Sequence, residues 1–316
     1  MNAVRHYIVR RLLGAVPVLL GISLLAFVLA QLSPGDPAEI MLEAAGTGMP
    51  SAEEVAALHS YLGLDQPPYV QYGLWLWRIL HGDGGISYHL GMPVFTVLLA
   101  RLPVTVMLAA ASLCWAAVGG IGLGLLMARM RGTWAAMLLH GVTQVMLATP
   151  SFLTAILLIL IFGVWLHVLP TNGVDAAAGY LLPSFALALV TLAMTTQLLD
   201  AQLREALSSL YAQTARLRGL SEGRVLLSYV LPNALVPVTA MLGNFAAAVL
   251  GGAIIVETVF ALPGIGSLAL DAIHYRDYPL LQGYVLFLGG IYVLVTLAVD
   301  LVLARMDPRI VLGGGD

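Results

Sequence analysis

An all-α, polytopic membrane fold is what this sequence predicts, on three observations. Hydrophobic residues fill 60% of its 316 positions and charged residues only 10%, with a mean hydropathy of +0.93, proportions foreign to an ordinary soluble surface. Uncharged runs recur that reach the ~20 helical residues needed to cross a hydrocarbon core of about 30 Å. Between those runs the arginines gather on alternate sides, which is the signature of a threaded chain.

The runs cover residues 12–32, 102–127, 134–168, 181–199, 231–256 and 279–299, giving six expected transmembrane helices. Arg5, Arg10 and Arg11 precede the first run and place the N-terminus inside. Its apolar stretch exceeds a signal-peptide core, and no small-x-small cleavage site follows, so it reads as a retained helix. Residues 33–94 then form an external segment. Pro34-Gly35-Asp36-Pro37 ends the first helix with a turn. Ser51-Ala52-Glu53-Glu54 is a capping box that opens an amphipathic helix, and the aromatics of 69–77 suit an interfacial helix at headgroup level. This segment either receives a soluble partner or caps the bundle.

The run 134–168 is long enough for two crossings broken at Pro150, but a seventh span would carry Arg204, Arg216, Arg218 and Arg224 outside. With six spans, eleven of the fourteen arginines lie inside and only Arg78, Arg101 and Arg276 outside, while eleven of the seventeen acidic residues face outward. Charge therefore favours six spans, with the third run kinked near Pro150, tilted or projecting. The expected organisation is 1–32, an inner N-terminus and first helix; 33–94, the external segment; 95–305, a transmembrane domain carrying an inner loop at 201–230; and 306–316, an inner tail.

That inner loop is the most informative stretch. Residues 213–232 read QTARLRGLSEGRVLLSYVLP: a helix, a glycine break, a second helix, and a proline opening an apolar span. Gly219 suits the left-handed position that closes a helix, so the stretch forms a stiff knuckle of basic and apolar residues. A juxtamembrane helix held by anionic lipid is the competing reading.

Spacing in this knuckle resembles the EAA loop of ABC importer permeases. Gln213-Thr214-Ala215 stands where Glu-Ala-Ala is usual, Gly219 is the loop glycine, and Leu231-Pro232 lies thirteen residues beyond it. Residues 214–220 and 233–237 are similar to the peptide/nickel permease family in particular, as are 32–37, 62–67, 257–266, 276–279 and 307–309. The resemblance implies a type I ABC importer transmembrane fold in the cell inner membrane, with both termini cytoplasmic. It implies a non-catalytic subunit that works with a second related permease, two ABC ATPase subunits and an external substrate-binding protein, on peptide or nickel-chelate cargo. A docking helix from about 205 to 218 would meet the ATPase, with Tyr211, Leu217 and Leu220 as anchors and Arg216 and Arg218 at the rim. Gln213 replaces the usual acidic residue and removes a charge from that contact. Glu257, Pro263, Gly264, Arg276 and Asp277 would serve an external gate or binding-protein contact, although Glu257 also reads as a plain helix cap.

Several chemistries are excluded. The chain has no lysine, and a Walker A phosphate loop requires one, so ATP hydrolysis belongs to another chain. Cys114 stands alone and permits no intrachain disulfide or cysteine metal cluster. No HExxH occurs among the seven histidines. His81, Asp83 and His89 cluster within nine residues and read as solvated loop side chains, or as metal-chelate contacts if the cargo is a metal. Gly119-Gly120-Ile121-Gly122-Leu123-Gly124 follows no strand and reads as close helix packing rather than a dinucleotide fingerprint. No cofactor, resident metal or nucleic-acid partner is expected. A secondary transporter driven by an ion gradient remains as an alternative, but it calls for ionisable residues at bilayer depth, and here His140 is the odd case. An intramembrane enzyme is the third class; Ser267 has no base at a recognisable spacing.

Overall fold

The computed structural model describes residues 2–32, 35–44, 50–171, 173 and 177–306. In chain order the helices are α1 (Asn2–Gln31), α2 (Pro37–Ala44), α3 (Ala52–Leu62), α4 (Pro68–Leu80), α5 (Val94–Cys114), α6 (Gly120–Arg129), α7 (Trp134–Ala148), α8 (Ser151–Leu158), α9 (Leu181–Ser208), α10 (Leu210–Leu217), α11 (Glu222–Arg224), α12 (Leu231–Gly252), α13 (Ile254–Val259), α14 (Ile265–His274) and α15 (Tyr278–Met306). Wide π-helical turns at Trp115–Gly119, Ile159–Trp165 and Val225–Val230 prolong α5, α8 and α11, and a 3-10 turn, Ala177–Tyr180, leads into α9. The described residues contain no β-strand, and one isolated bridge joins Ile86 to Pro93.

Among the described residues five helices are long and apolar enough to span a membrane: Tyr7–Gln31, Val94–Arg129, Ala177–Ser208, Glu222–Leu250 and Tyr278–Met306. A sixth crossing requires Trp134–Ala148 and Ser151–Trp165 to count together, and these are bent by 104° at their junction. The expected kink at Pro150 is therefore a full break. Thr149 is extended (φ −91°, ψ 117°), because a residue before proline is pushed out of the helical region. The long unbroken helix is instead Val94–Arg129, 36 residues, or about 54 Å at 1.5 Å per residue.

Two compact units divide the chain. One comprises residues 1–7, 106–262 and 294–316, and α9 is its centre. Small residues let α6 lie directly on α9: a Cβ added at Gly120 would stand 2.5 Å from Thr195 Cβ, and one at Gly124 would stand 3.0 Å from Leu199 Cβ. The Thr196 hydroxyl donates across this seam to Gly120 O (3.3 Å) as well as to Leu192 O in its own helix (2.9 Å). The glycine-rich run is thus a packing surface, as the sequence suggested. Further along α9, Leu199 and Leu203 join Ala212, Ala215, Val225, Val230, Ala234 and Val238 in a buried cluster. Gly243 admits Val299 equally closely.

The other unit comprises residues 8–105 and 263–293. Its core joins the start of α5 (Val94, Val97, Leu98) to α14 (Ile265, Leu268, Ala269, Ala272) and the start of α15 (Leu280, Tyr284). The Ser51 capping box forms as the sequence predicts: Ser51 Oγ accepts from Glu54 N–H, and the Glu54 carboxylate accepts from Ser51 N–H at 2.9 Å. Gly63, at φ +71°, closes α3. On α4, Tyr72 meets Phe27 of α1 edge-on and Trp75 lies tilted against it, with Tyr72 Oη 2.8 Å from Ser23 Oγ, while Tyr69 and Trp77 are exposed. Gly35 and Asp36 of the predicted first turn are seen, and Asp36 accepts from Ala38 N–H at 2.8 Å to start α2. Ser33, Pro34, Asp307, Pro308 and Arg309 lie outside the described residues.

Candidate functional site

Helix α9 stops at Ser209, which is extended (φ −71°, ψ 158°) and turns its hydroxyl back to donate to Ala206 O at 2.6 Å. The chain resumes as α10, only eight residues long. The expected continuous helix from 205 to 218 is therefore broken, because the Ser209 hydroxyl takes a carbonyl of the last turn and its backbone leaves the helical region. Gln213 bridges the break, its side-chain amide donating to Ser208 O at 3.1 Å. That contact suits a neutral amide; a carboxylate there would have no proton to donate.

Helix α10 buries Ala212 and Ala215 against the cluster centred on Leu199 and Leu203. Its small buried residues bring the α10 backbone close to α9. The opposite face is apolar and exposed: Leu210 is 81%, Tyr211 42% and Leu217 89% accessible. Thr214 and Arg218 share that exposure.

At its end α10 forms a Schellman motif. Gly219 sits at φ +80°, its N–H donates to Arg216 O (2.9 Å), and Leu220 N–H donates to Ala215 O (3.4 Å), satisfying carbonyls that a helix end leaves open. Leu220 consequently packs onto the buried cluster and takes no part in the exposed face for which the sequence suggested it as an anchor. Arg216 also differs from expectation. Its Nε and Nη2 donate to the Glu222 carboxylate (2.8 and 3.3 Å) and its Nη1 to Leu207 O (3.0 Å), so it staples the end of α9 to α11 across the turn. Beyond α11, the π turn Val225–Val230 precedes Leu231 and Pro232 in the first turn of α12. Pro232 has no N–H and crowds the carbonyl four residues back, and a widened turn accommodates both.

The residues expected at an external gate lie differently from one another. Glu257 is fully buried on α13. Gly264 precedes α14 in an extended conformation, and Pro263 is half-buried. Asp277 is fully buried and caps α15, accepting from Leu280 N–H (3.2 Å), His89 N–H (3.2 Å) and the Ser87 hydroxyl. Arg276 alone of the charged members is exposed, with a left-handed backbone (φ 53°). Beside Asp277, burial and then the nearby carboxylate push the Tyr88 phenol up to about 12.

His81, Asp83 and His89 do not converge. His81 packs on Trp77, Asp83 accepts from Gly85 N–H, and His89 stacks on Tyr275 at 3.5 Å. Among the described residues no group of three or more His, Cys, Asp or Glu could hold a metal ion. The sequence reading missed Leu210. Its spacing from Thr214 and Leu217 places it on the same helical face, a signal available once the helix is known to begin after Ser209.

Comparison with known proteins gives concordant matches. The family model described as "Binding-protein-dependent transport system inner membrane component" matches residues 120–312, and the corresponding N-terminal model matches residues 4–109. The chain is 37% identical over 311 residues to a Brucella suis biovar 1 protein named a peptide transport system permease, covering 96% of this chain and 98% of that protein. It is 35% identical over 305 residues to the glutathione transport system permease GsiC of Escherichia coli K12, again covering 96% and 98%. Among solved structures, the MetNI methionine ABC transporter in an inward-facing conformation aligns with a TM-score of 0.56 at 16% identity, over 67% of this chain and 97% of that one. At that identity the likeness is one of fold.

Proposed function

The chain belongs to the family of binding-protein-dependent transport system inner membrane components, and we propose from that premise that it passes short peptides across the membrane, driven by ATP hydrolysed on separate subunits that dock on the α10 knuckle. The exposed Leu210–Tyr211–Leu217 face carries this reading. It is an apolar patch on a short helix whose other side is packed, whose end is locked by Gly219 and whose exit is stapled by Arg216. A lever must be stiff to pass on motion, since coupling between sites needs an element whose two states both sites bias.

In this arrangement the permease pairs with a second, related permease, and an external binding protein delivers cargo. The knuckle and both termini are cytoplasmic, in keeping with the arginine distribution. Tyr211 and Leu217, joined by Leu210, enter a groove on the ATPase; Arg218 lies at the rim, and Gln213 and Arg216 brace the helix from behind. Arg276 is the exposed residue of the external set and faces the binding protein. Peptide is favoured over nickel chelate as cargo because the relatives named above are peptide and glutathione permeases.

The test is uptake of labelled di- and tripeptides into proteoliposomes holding the whole complex and its binding protein. Uptake should need ATP and persist when ion gradients are collapsed. Uptake driven by an imposed gradient without ATP would overturn the reading in favour of a secondary transporter. In the same vesicles Gly219→Val places a β-branched residue at φ +80°, costing about 1–2 kcal/mol in the turn. No atom lies within 4 Å of the added Cβ, so the strain is confined to the backbone. The variant should insert and assemble, hydrolyse ATP, and move little peptide.

A further inference from the structure

Asp200 is a further buried carboxylate, on the helix that carries the knuckle. It stands two turns before the end of α9, its side chain only 3% exposed. It is gripped from two directions. Arg204, one turn later on the same helix, donates to its Oδ2 through both Nε and Nη2, and Arg131, in the four-residue link 130–133 between α6 and α7, donates to its Oδ1 at 3.3 Å. The neighbouring residues Leu199 and Leu203 carry α10, and Leu199 also meets Gly124 of α6. The last turns of α9 thus hold the knuckle by apolar packing and the α6–α7 link by charge.

We propose that the Asp200–Arg131–Arg204 triad is a positioning device that makes the α6–α7 link, the end of α9 and the α10 knuckle move as one body, so that displacement of α10 reaches α6 and α7 instead of being absorbed by bending. Apolar contacts between helices are non-directional and permit sliding. A carboxylate with each oxygen engaged by a guanidinium fixes register, because charge-assisted hydrogen bonds to a planar guanidinium are geometrically specific. A buried ion pair is a poor source of net stability but is retained where it fixes an arrangement. The triad's role in transport rests on the docking of α10 proposed above; its role in rigidity does not.

Asp200→Asn removes the charge and keeps the shape. Arg131 and Arg204 are 41% and 60% exposed and fall back on water, so the variant folds. The rigidity arm uses the permease alone in lipid nanodiscs, with spin labels on cysteines replacing Trp134, the exposed first residue of α7, and Gly223, where an added Cβ meets nothing within 4 Å, in a Cys114→Ser background. The parent should give one narrow distance and Asp200→Asn a broad one, with Asp200→Glu recovering most of the narrow component. An unchanged width in Asp200→Asn overturns the proposal. The transport arm uses the whole complex: ATP consumed per peptide imported should rise at least about fivefold, the low end of ordinary coupling energies. Asp200→Asn combined with Arg131→Gln should be no worse than the single variant, and a ratio equal to that of the parent overturns the proposal. Loss of crosslinking from Tyr211→Cys to the ATPase in a chain with Asp200 intact would sink the docking reading alone, since the distance measurement does not require the ATPase.

Discussion

Two buried aspartates, Asp200 and Asp277, meet the cost of burial by different means. Asp277 receives neutral donors, a hydroxyl and two backbone N–H groups, at the start of α15, where the helix dipole favours an anion. Asp200 receives two guanidinium groups. The first arrangement keeps its negative charge uncancelled, and Tyr88 responds to it. With burial as the larger cause and Asp277 the next, its phenol ionises only at about 12 against an ordinary value of 10.0. The raised value means that the folded state holds the Tyr88 proton more tightly than the unfolded one. The stability gained is complete below pH 10 and is lost as pH rises from there toward 12. A difference titration of tyrosinate absorbance between the parent and Tyr88→Phe should isolate one group ionising near pH 12. A difference curve centred at 10 would show that the burial and the charge are without effect.

At the scale of the element, α10 is a helix too short to be stable alone; what holds it is its alanine face, its Schellman end and the Arg216 staple. Exposed and buried positions should therefore answer differently to substitution. Leu217→Glu lies on the exposed face and should leave the melting temperature unchanged, within about 0.5 kcal/mol. It should weaken capture of the ATPase by at least about tenfold, as a lost interface anchor does. Equal capture by parent and variant would remove Leu217 from the docking face. The glycine break that ends this element and the proline that opens α12 were legible in the sequence because φ > 0 and a missing N–H are properties of single residues. The break at Ser209, the inward turn of Leu220 and the engagement of Arg216 were not. Each depends on which neighbour a side chain meets after the chain has turned, and sequence spacing carries no record of that.

For the whole molecule, threading is the property most open to a direct check. With Cys114 replaced by serine, a cysteine at the exposed Tyr61 should react with a membrane-impermeant maleimide in intact cells. One at Leu217 should react only after permeabilisation. The reverse pattern would invert the topology drawn from arginine counts. Composition and hydrophobic run length by themselves determined that the chain is a helical membrane protein, with six crossings expected, because in hydrocarbon a spanning helix satisfies its own backbone hydrogen bonds. Residue chemistry alone likewise foretold the capping box at Ser51 and the packing role of the 119–124 glycines. Only the tertiary structure decided that the third run breaks by 104° at Pro150, that Glu257 and Asp277 are buried, and that Arg131 and Asp200, 69 residues apart, share one ion triad with Arg204. Local sequence governs how a segment can fold, whereas the partner of a buried charge is set by the helices that close around it.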